Sequence, residues 1–250
     1  MSEKPGEAFL ISVIIPTYNA EKYIEACIHS ILSITFSAIQ VVIMDGGSTD
    51  ETLQILARFK DHPVKIVSGK DQGLYDAMNK GIDLASGKWL YFMGADDRLL
   101  NGFSELAGKL EDDDTIYYAN SVPFYEDEQL ATDYGLLQGE FSPYRLAKYC
   151  MNHQSILYPS KVFKTYSYET RYSLSADYAL NICLWGDDRF KKQFYNIEIV
   201  SYNMGGRSSF NKDHLFDLEK HDLIRKYMGW GVFLRYMIRS YKDRWKRKTG

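Results

Sequence analysis

The 250-residue sequence predicts an α/β fold: a mostly parallel central sheet flanked by helices, with a helical C-terminal extension. Three observations lead there. In the first hundred residues, short apolar β-branched runs alternate with stretches whose apolar residues recur at helical spacing. Single helices between strands imply right-handed parallel crossovers and a sheet covered on both faces. Roughly the last forty residues read as helix, interrupted at Gly229-Trp230-Gly231.

Each element follows in order. Leu10 to Ile15 is the first strand, ended by Pro16. Ile24, Cys27, Ile28 and Ile31 mark a helix over Ala20 to Leu32, with Asn19 as its N-cap. Gln40 to Met44 is the second strand, and a helix through Leu53, Leu56 and Phe59 follows, opened by a Ser48–Glu51 capping box. Val64 to Val67 is the third strand, Tyr75, Met78, Ile82 and Ala85 line a helix face, and Trp89 to Met93 is the fourth strand. Beyond Asn101 the pattern loosens. Thr115 to Ala119 reads as a strand, Val122 to Gln138 as a hairpin or loop, Ser175 to Trp185 as a helix and Phe194 to Tyr202 as one or two strands.

Composition narrows the functional classes. A formal net charge of −3 gives no reason to expect a nucleic-acid partner. No apolar run approaches the ~20 residues that span a bilayer. Three cysteines without CxxC spacing, and no recognisable signal peptide, suit a reducing, cytoplasmic setting. Twenty tyrosines supply rings with hydroxyl handles, suited both to sugar contacts and to a half-wet core.

In sheets of this kind ligands collect beyond the carboxyl ends of the strands. The segments expected there are Pro16-Thr17-Tyr18-Asn19, Asp45-Gly46-Gly47-Ser48, Lys70-Asp71-Gln72-Gly73 and Gly94-Ala95-Asp96-Asp97. Three of the four bring carboxylates. Asp96 and Asp97, with no His/Cys cluster, suit a hard cation such as Mn²⁺ or Mg²⁺ that shares its coordination with phosphate oxygens, or else they cap the following helix. Asp45, followed by two glycines, can accept hydrogen bonds from a base N–H or a ribose hydroxyl. The glycine pattern is neither GxGxxG nor a P-loop.

These four segments, in this order and spacing, resemble the successive motifs of family 2 inverting glycosyltransferases, in particular bacterial surface-polysaccharide enzymes. The resemblance covers the first hundred residues and continues more weakly to about Ser209. It implies a GT-A, Rossmann-like fold over residues 1–228, with a nucleotide-sugar half (about 1–100) and an acceptor half (about 101–228), followed by a basic helix over 229–250. It implies donor contacts from Pro16, Thr17, Tyr18, Asn19, Asp45, Gly46, Asp71, Asn79, Gly94, Ala95 and Asp96, and a helix through Asn79 and Gly81 that closes the donor pocket. Asp96 takes the metal-ligand place of an Asp-x-Asp motif whose first aspartate is Gly94 here, with Asp97 as a second candidate ligand. Asp177 matches the family's catalytic base, although its helix first turn favours any aspartate. His153 matches the acceptor-face segment, and Gly205-Gly206-Arg207-Ser208 a closing loop in which Arg207 would reach the acceptor or the diphosphate.

The implied reaction moves a sugar from a UDP-linked donor to a saccharide or lipid-linked acceptor, assisted by Mn²⁺ or Mg²⁺. Two alternatives stand beside it: a nucleotidyltransferase that makes nucleotide-sugars, and a GT-A-like protein that holds nucleotide without catalysis. In the C-terminal segment Phe233, Met237, Tyr241 and Trp245 recur every fourth residue, beside Leu234 and Ile238 and among seven basic residues. Such a helix suits an anionic membrane surface, here the inner face of the cytoplasmic membrane, or equally a helix packed on its own core or in a dimer.

Overall fold

The computed structural model describes residues 9–124, 138–204 and 212–249. Strands β1 (Ile11–Thr17), β2 (Ile39–Asp45), β3 (Val64–Ser68) and β4 (Trp89–Phe92) lie parallel in the spatial order β3-β2-β1-β4. Both faces of β1, β2 and β4 are covered, so these strands are apolar at most positions and not only at alternate ones, while the edge strand β3 is partly exposed. Val13, Ile15, Val41 and Ile43 face one side, against α1 (Ile24–Leu32), α2 (Thr52–Leu56) and α4 (Gly102–Ala107). Ile14, Val42 and Met44 face the other, against α3 (Leu74–Leu84). Gly81 is where α3 meets the sheet: a Cβ there would stand 2.5 Å from the Ile14 side chain.

The second half extends the same sheet by antiparallel pairing. β7 (Ile156–Pro159) runs against β4, and β6 (Thr115–Phe124) against β7. β8 (Lys191–Asn203) then lies parallel to β6, and the two-residue β5 (Arg98–Leu99) closes the edge. The eight strands stand in the order β3-β2-β1-β4-β7-β6-β8-β5. Helices α5 (Pro143–Lys148), α6 (Ala176–Trp185) and α7 (His214–Thr249) pack on the α3 side. α7 is broken at Gly229, whose φ of 79° is open to glycine at little cost. Among the described residues no helix is long and apolar enough to cross a membrane.

Four local expectations change. β1 continues through Pro16 instead of stopping there. Ile14 turns its backbone toward β4, its carbonyl accepting from Met93 N–H, and Pro16, two residues on, turns the same way. β4 has ended by then, so the missing N–H of Pro16 costs no ladder bond. Asn19 is not a helix cap, because α1 begins only at Ile24; Asn19 adopts φ 49°, and its Oδ1 accepts from Thr49 N–H. The capping box does not form either. Ser48 bonds back to Asp45, and Asp50 Oδ1 takes the Thr52 N–H at the start of α2. Finally, the Val122 end of the supposed loop belongs to β6, while residues 125–137 lie outside the described residues.

Candidate active site

The carboxyl ends of β1, β2 and β3 place the nucleotide-side residues together. Gly46 follows β2, and a Cβ there would stand 2.7 Å from Asp71 Oδ2 and 3.4 Å from the Tyr18 ring. Glycine at 46 therefore lets Tyr18, Gly46 and Asp71 meet. Tyr18 is 61% exposed, so its ring is open to a planar ligand. Asp71 is held by the Gly73 N–H to its Oδ1 (2.9 Å). Beside them lies a pocket of about 220 Å³, lined by Met44, Asp45, Val67, Lys70, Asp71 and Lys80. That is below the ~300–1,000 Å³ that encloses a whole small molecule, and it suits one ring of a larger ligand.

Asp45 is buried, and protein donors occupy both its oxygens. Gly47 N–H and Ser48 N–H donate at 3.1 Å, joined by the hydroxyls of Ser48 and Ser68. Its visible work is to set the loop after β2. Pro16 and Thr17 form the end of β1, with Thr17 buried. Asn79, expected at the pocket, uses both ends of its amide on Tyr168, donating to the carbonyl (2.8 Å) and accepting from the N–H (3.0 Å). It ties α3 to the second half of the chain.

The turn after β4 explains its own departure from Asp-x-Asp. A Cβ on Gly94 would collide with the Asp97 carboxylate and come within 2.9 Å of Asp96 Oδ1. Asp97 is buried and turned inward, accepting from Gly94 N–H (3.1 Å) and Asn203 N–H (2.7 Å). Burial first, and the charge of Asp96 second, push its carboxyl up to about 6. Asp96, next to Ala95, stays partly exposed at the mouth. The turn thus offers one partly exposed carboxylate, Asp96, and no histidine or cysteine of its own. It fits a hard divalent cation held largely by diphosphate oxygens.

Among the described residues, the only trio of His, Cys or acidic side chains with convergent ligand atoms is Asp112, Asp113 and Asp114. It lies at the start of β6, which is parallel to β4, and Trp89 at the start of β4 bonds Thr115 there (3.4 Å). That is the opposite end of the sheet from Asp45 and Asp96. Lys161 and Lys191 already pair with these carboxylates.

In the second half of the chain Asp177 stands in the first turn of α6, buried. Its Oδ1 accepts from the Tyr75 hydroxyl (2.8 Å), and its Oδ2 meets His153 Nδ1 (3.1 Å). Burial alone would raise this carboxyl. The bond and charge of His153, then Tyr75 and the Tyr178 N–H, outweigh burial and leave it below the ordinary carboxylate range. Tyr75 in turn stacks on Tyr168 at 5.6 Å, and burial plus the Asp177 charge push its hydroxyl far up, so it stays a donor. His153 is in a short 3₁₀ turn capped by Asn152, whose Oδ1 takes the Gln154 N–H. The Gln154 side chain and the His153 charge both act to lower the Asp97 carboxyl, and Gln154 Oε1 is buried without a partner. Hence the His153–Asp177 pair lies near the Asp96–Asp97 turn. Arg207 and the glycines before it lie outside the described residues.

Sequence reasoning placed Tyr75 only on an apolar helix face and did not single out Gln154, Lys70 or Lys80. Tyr75 carried the one available signal, a hydroxyl on a buried stripe.

A doubly wound half-sheet with carboxylates at its carboxyl edge, extended through the antiparallel β7 into a second half, is the layout of a nucleotide-binding α/β protein. The sequence profile of glycosyl transferase family 2 matches residues 12–170, and the chain belongs to that family. It is therefore a glycosyltransferase, and the nucleotidyltransferase and non-catalytic alternatives fall away. A PGL/p-HBAD biosynthesis glycosyltransferase of Mycobacterium bovis is 35% identical over 218 residues, 83% of this chain and 82% of that protein. Two solved structures share the fold. Staphylococcus aureus TarS with UDP-GlcNAc has a TM-score of 0.70 at 16% identity over 88% of this chain and 72% of its own. The mannosyltransferase PcManGT of Pyrobaculum calidifontis, with GDP-Man and Mn²⁺, has 0.62 at 14% identity over 90% of this chain and 65% of its own.

Proposed function

We propose that the protein transfers a sugar from a nucleotide-diphosphate-sugar, UDP-linked, to a hydroxyl of a saccharide or lipid-linked saccharide in cell-surface polysaccharide synthesis. The observation that carries this reading is the His153–Asp177 pair (3.1 Å) close enough to the turn after β4 for the His153 charge to act on Asp97. Donor and acceptor chemistry then share one site. The nucleotide-sugars in TarS and PcManGT support the donor class, and the Mn²⁺ of PcManGT supports the metal.

In this reading the base lies in the pocket beside Tyr18 and Asp71, and Asp45 fixes the loop beneath it. Asp96 would hold Mn²⁺ or Mg²⁺, which supplies positive charge to the departing diphosphate when bound. The acceptor oxygen forms its bond to the anomeric carbon as the carbon–phosphate-oxygen bond breaks, with inversion. The bonding pair leaves with the nucleoside diphosphate, and the acceptor proton passes to the His153–Asp177 pair. An ionised Asp177 only accepts hydrogen bonds, so His153 Nδ1 carries the hydrogen and Nε2 presents the lone pair.

The test is binding and turnover across a panel of nucleotide-sugars with Mn²⁺, comparing wild type with Asp96→Ala and Asp177→Asn. One donor should bind with metal, lose that binding in Asp96→Ala, and bind without turnover in Asp177→Asn. Failure of every nucleotide-sugar to bind, with or without metal, would overturn the assignment.

A further inference from the structure

Residues 229–250 contain seven of the 30 basic residues and one of the 33 acidic ones, so this segment carries +6 and the rest of the chain −9. The structure places residues 230–249 in helix. Val232, Phe233 and Tyr236 pack on the core, and the Arg235 guanidinium lies 3.9 Å from the centre of the Tyr144 ring. The opposite face is apolar and open. Leu234, Ile238, Tyr241 and Trp245 are between 53% and 73% exposed, and Trp230 at the head of the helix is 62% exposed. At about 100° per residue the first four fall within an arc of roughly 60°. Arg235, Arg239 and Lys242, all exposed, fall along one border of that stripe.

We infer that this face of α7 docks on an anionic lipid surface, lying in its plane. An exposed apolar stripe on a soluble chain marks a contact site. Tryptophan and tyrosine among aliphatics, bordered by lysine and arginine, are the side chains that suit the boundary between headgroups and acyl chains. Charge decides between a bilayer and a second copy of the chain. A twofold pairing through the stripe would bring two +6 segments together, whereas anionic headgroups neutralise one. The −9 body is repelled by the same surface, so only the helix approaches it and the protein arrives in one orientation.

That orientation matters for the site. α7 packs on α6, and Lys220 of α7 lies over the Tyr178 ring (4.5 Å), next in sequence to Asp177. A docked helix therefore holds the acceptor side at a set height above the headgroups.

The experiment is flotation of the full chain with vesicles of phosphatidylcholine alone or with about one third phosphatidylglycerol, at low and high salt. The proteins compared are wild type, Leu234→Gln/Ile238→Gln and Arg239→Glu/Lys242→Glu. Melting curves check that each variant folds, and light scattering reads the oligomeric state. Wild type should bind anionic vesicles at least about tenfold more tightly than neutral ones, with the difference shrinking in salt. Each double variant should lose about tenfold or more. The proposal is overturned if wild type does not bind anionic vesicles at low salt, or if both variants bind as wild type does. It is also overturned if the stripe instead holds a dimer that Leu234→Gln/Ile238→Gln dissociates.

Discussion

The two carboxylate centres of the site are built in opposite ways. Asp45 on the donor side takes four donors from its own loop and from Ser68, most of them within three residues of it. Asp177 takes its two side-chain donors from far along the chain, Tyr75 at 102 residues' separation and His153 at 24. Asp45 is mostly locally determined: the loop after its own strand supplies three of its four donors, and Ser68 of β3 supplies the fourth. The Asp177 centre exists only once α3, the turn before β7 and α6 have docked. Local centres act as rigid supports, whereas a centre assembled from three elements depends on the fold around it.

The sharpest way to break that contrast is to cut the assembled centre. Asp177→Asn should lower turnover by about 10³-fold while donor affinity stays within about twofold, since general-base groups contribute ~10²–10⁴. If His153 and Asp177 act as one unit, His153→Gln should cost within about tenfold of that, and the double variant no more than the worse single one. Full additivity in steady-state kinetics would show two independent residues. Asp96→Ala comes next, with turnover lower by about 10²-fold and the Mn²⁺ dependence of donor binding gone, read by titration calorimetry.

Restoring the first aspartate of the motif should harm the enzyme. Gly94→Asp forces a side chain into the space of the Asp96 and Asp97 carboxylates, an overpacking cost of about 1–3 kcal/mol in chemical denaturation, with lower activity. Gly94→Asp combined with Asp97→Ala should recover part of it.

The smallest effect concerns Lys220, whose burial between the Tyr178 and Tyr236 rings lowers its pKa to about 8. Its folded value lies below the unfolded ~10.4, so the folded state carries the charge at a cost below pH 8. Stability from this group rises as pH climbs from about 8 to 10.4. Lys220→Met should flatten that rise and raise the melting temperature at pH 7, where scanning calorimetry reads both.

The first half was legible because burial on both sheet faces writes its strands as apolar runs and puts function at their tips. Four strands and the convergent edge follow from Ile14, Val42 and Phe92 and their neighbours. Less legible was how polar side chains partition among competing partners. Ser48 could cap α2 or bind Asp45, and burial of the charged carboxylate decided for Asp45. The inward turn of Asp97 depends on Asn203, more than a hundred residues away, and no local pattern carries that.

The loops after β1 and β2 are laced together. Asn19 N–H donates to Ser48 (2.8 Å), Thr49 N–H to Asn19, Ala20 N–H to Thr52 (2.8 Å), Glu21 N–H to Asp50 and Glu51 N–H to Glu21. Neither loop can swing out without stripping amides from the other. In hydrogen–deuterium exchange the amides of 19–21 and 49–51 should therefore exchange in concert, with one opening free energy. The two loops then behave as a single latch, opening and closing as one unit.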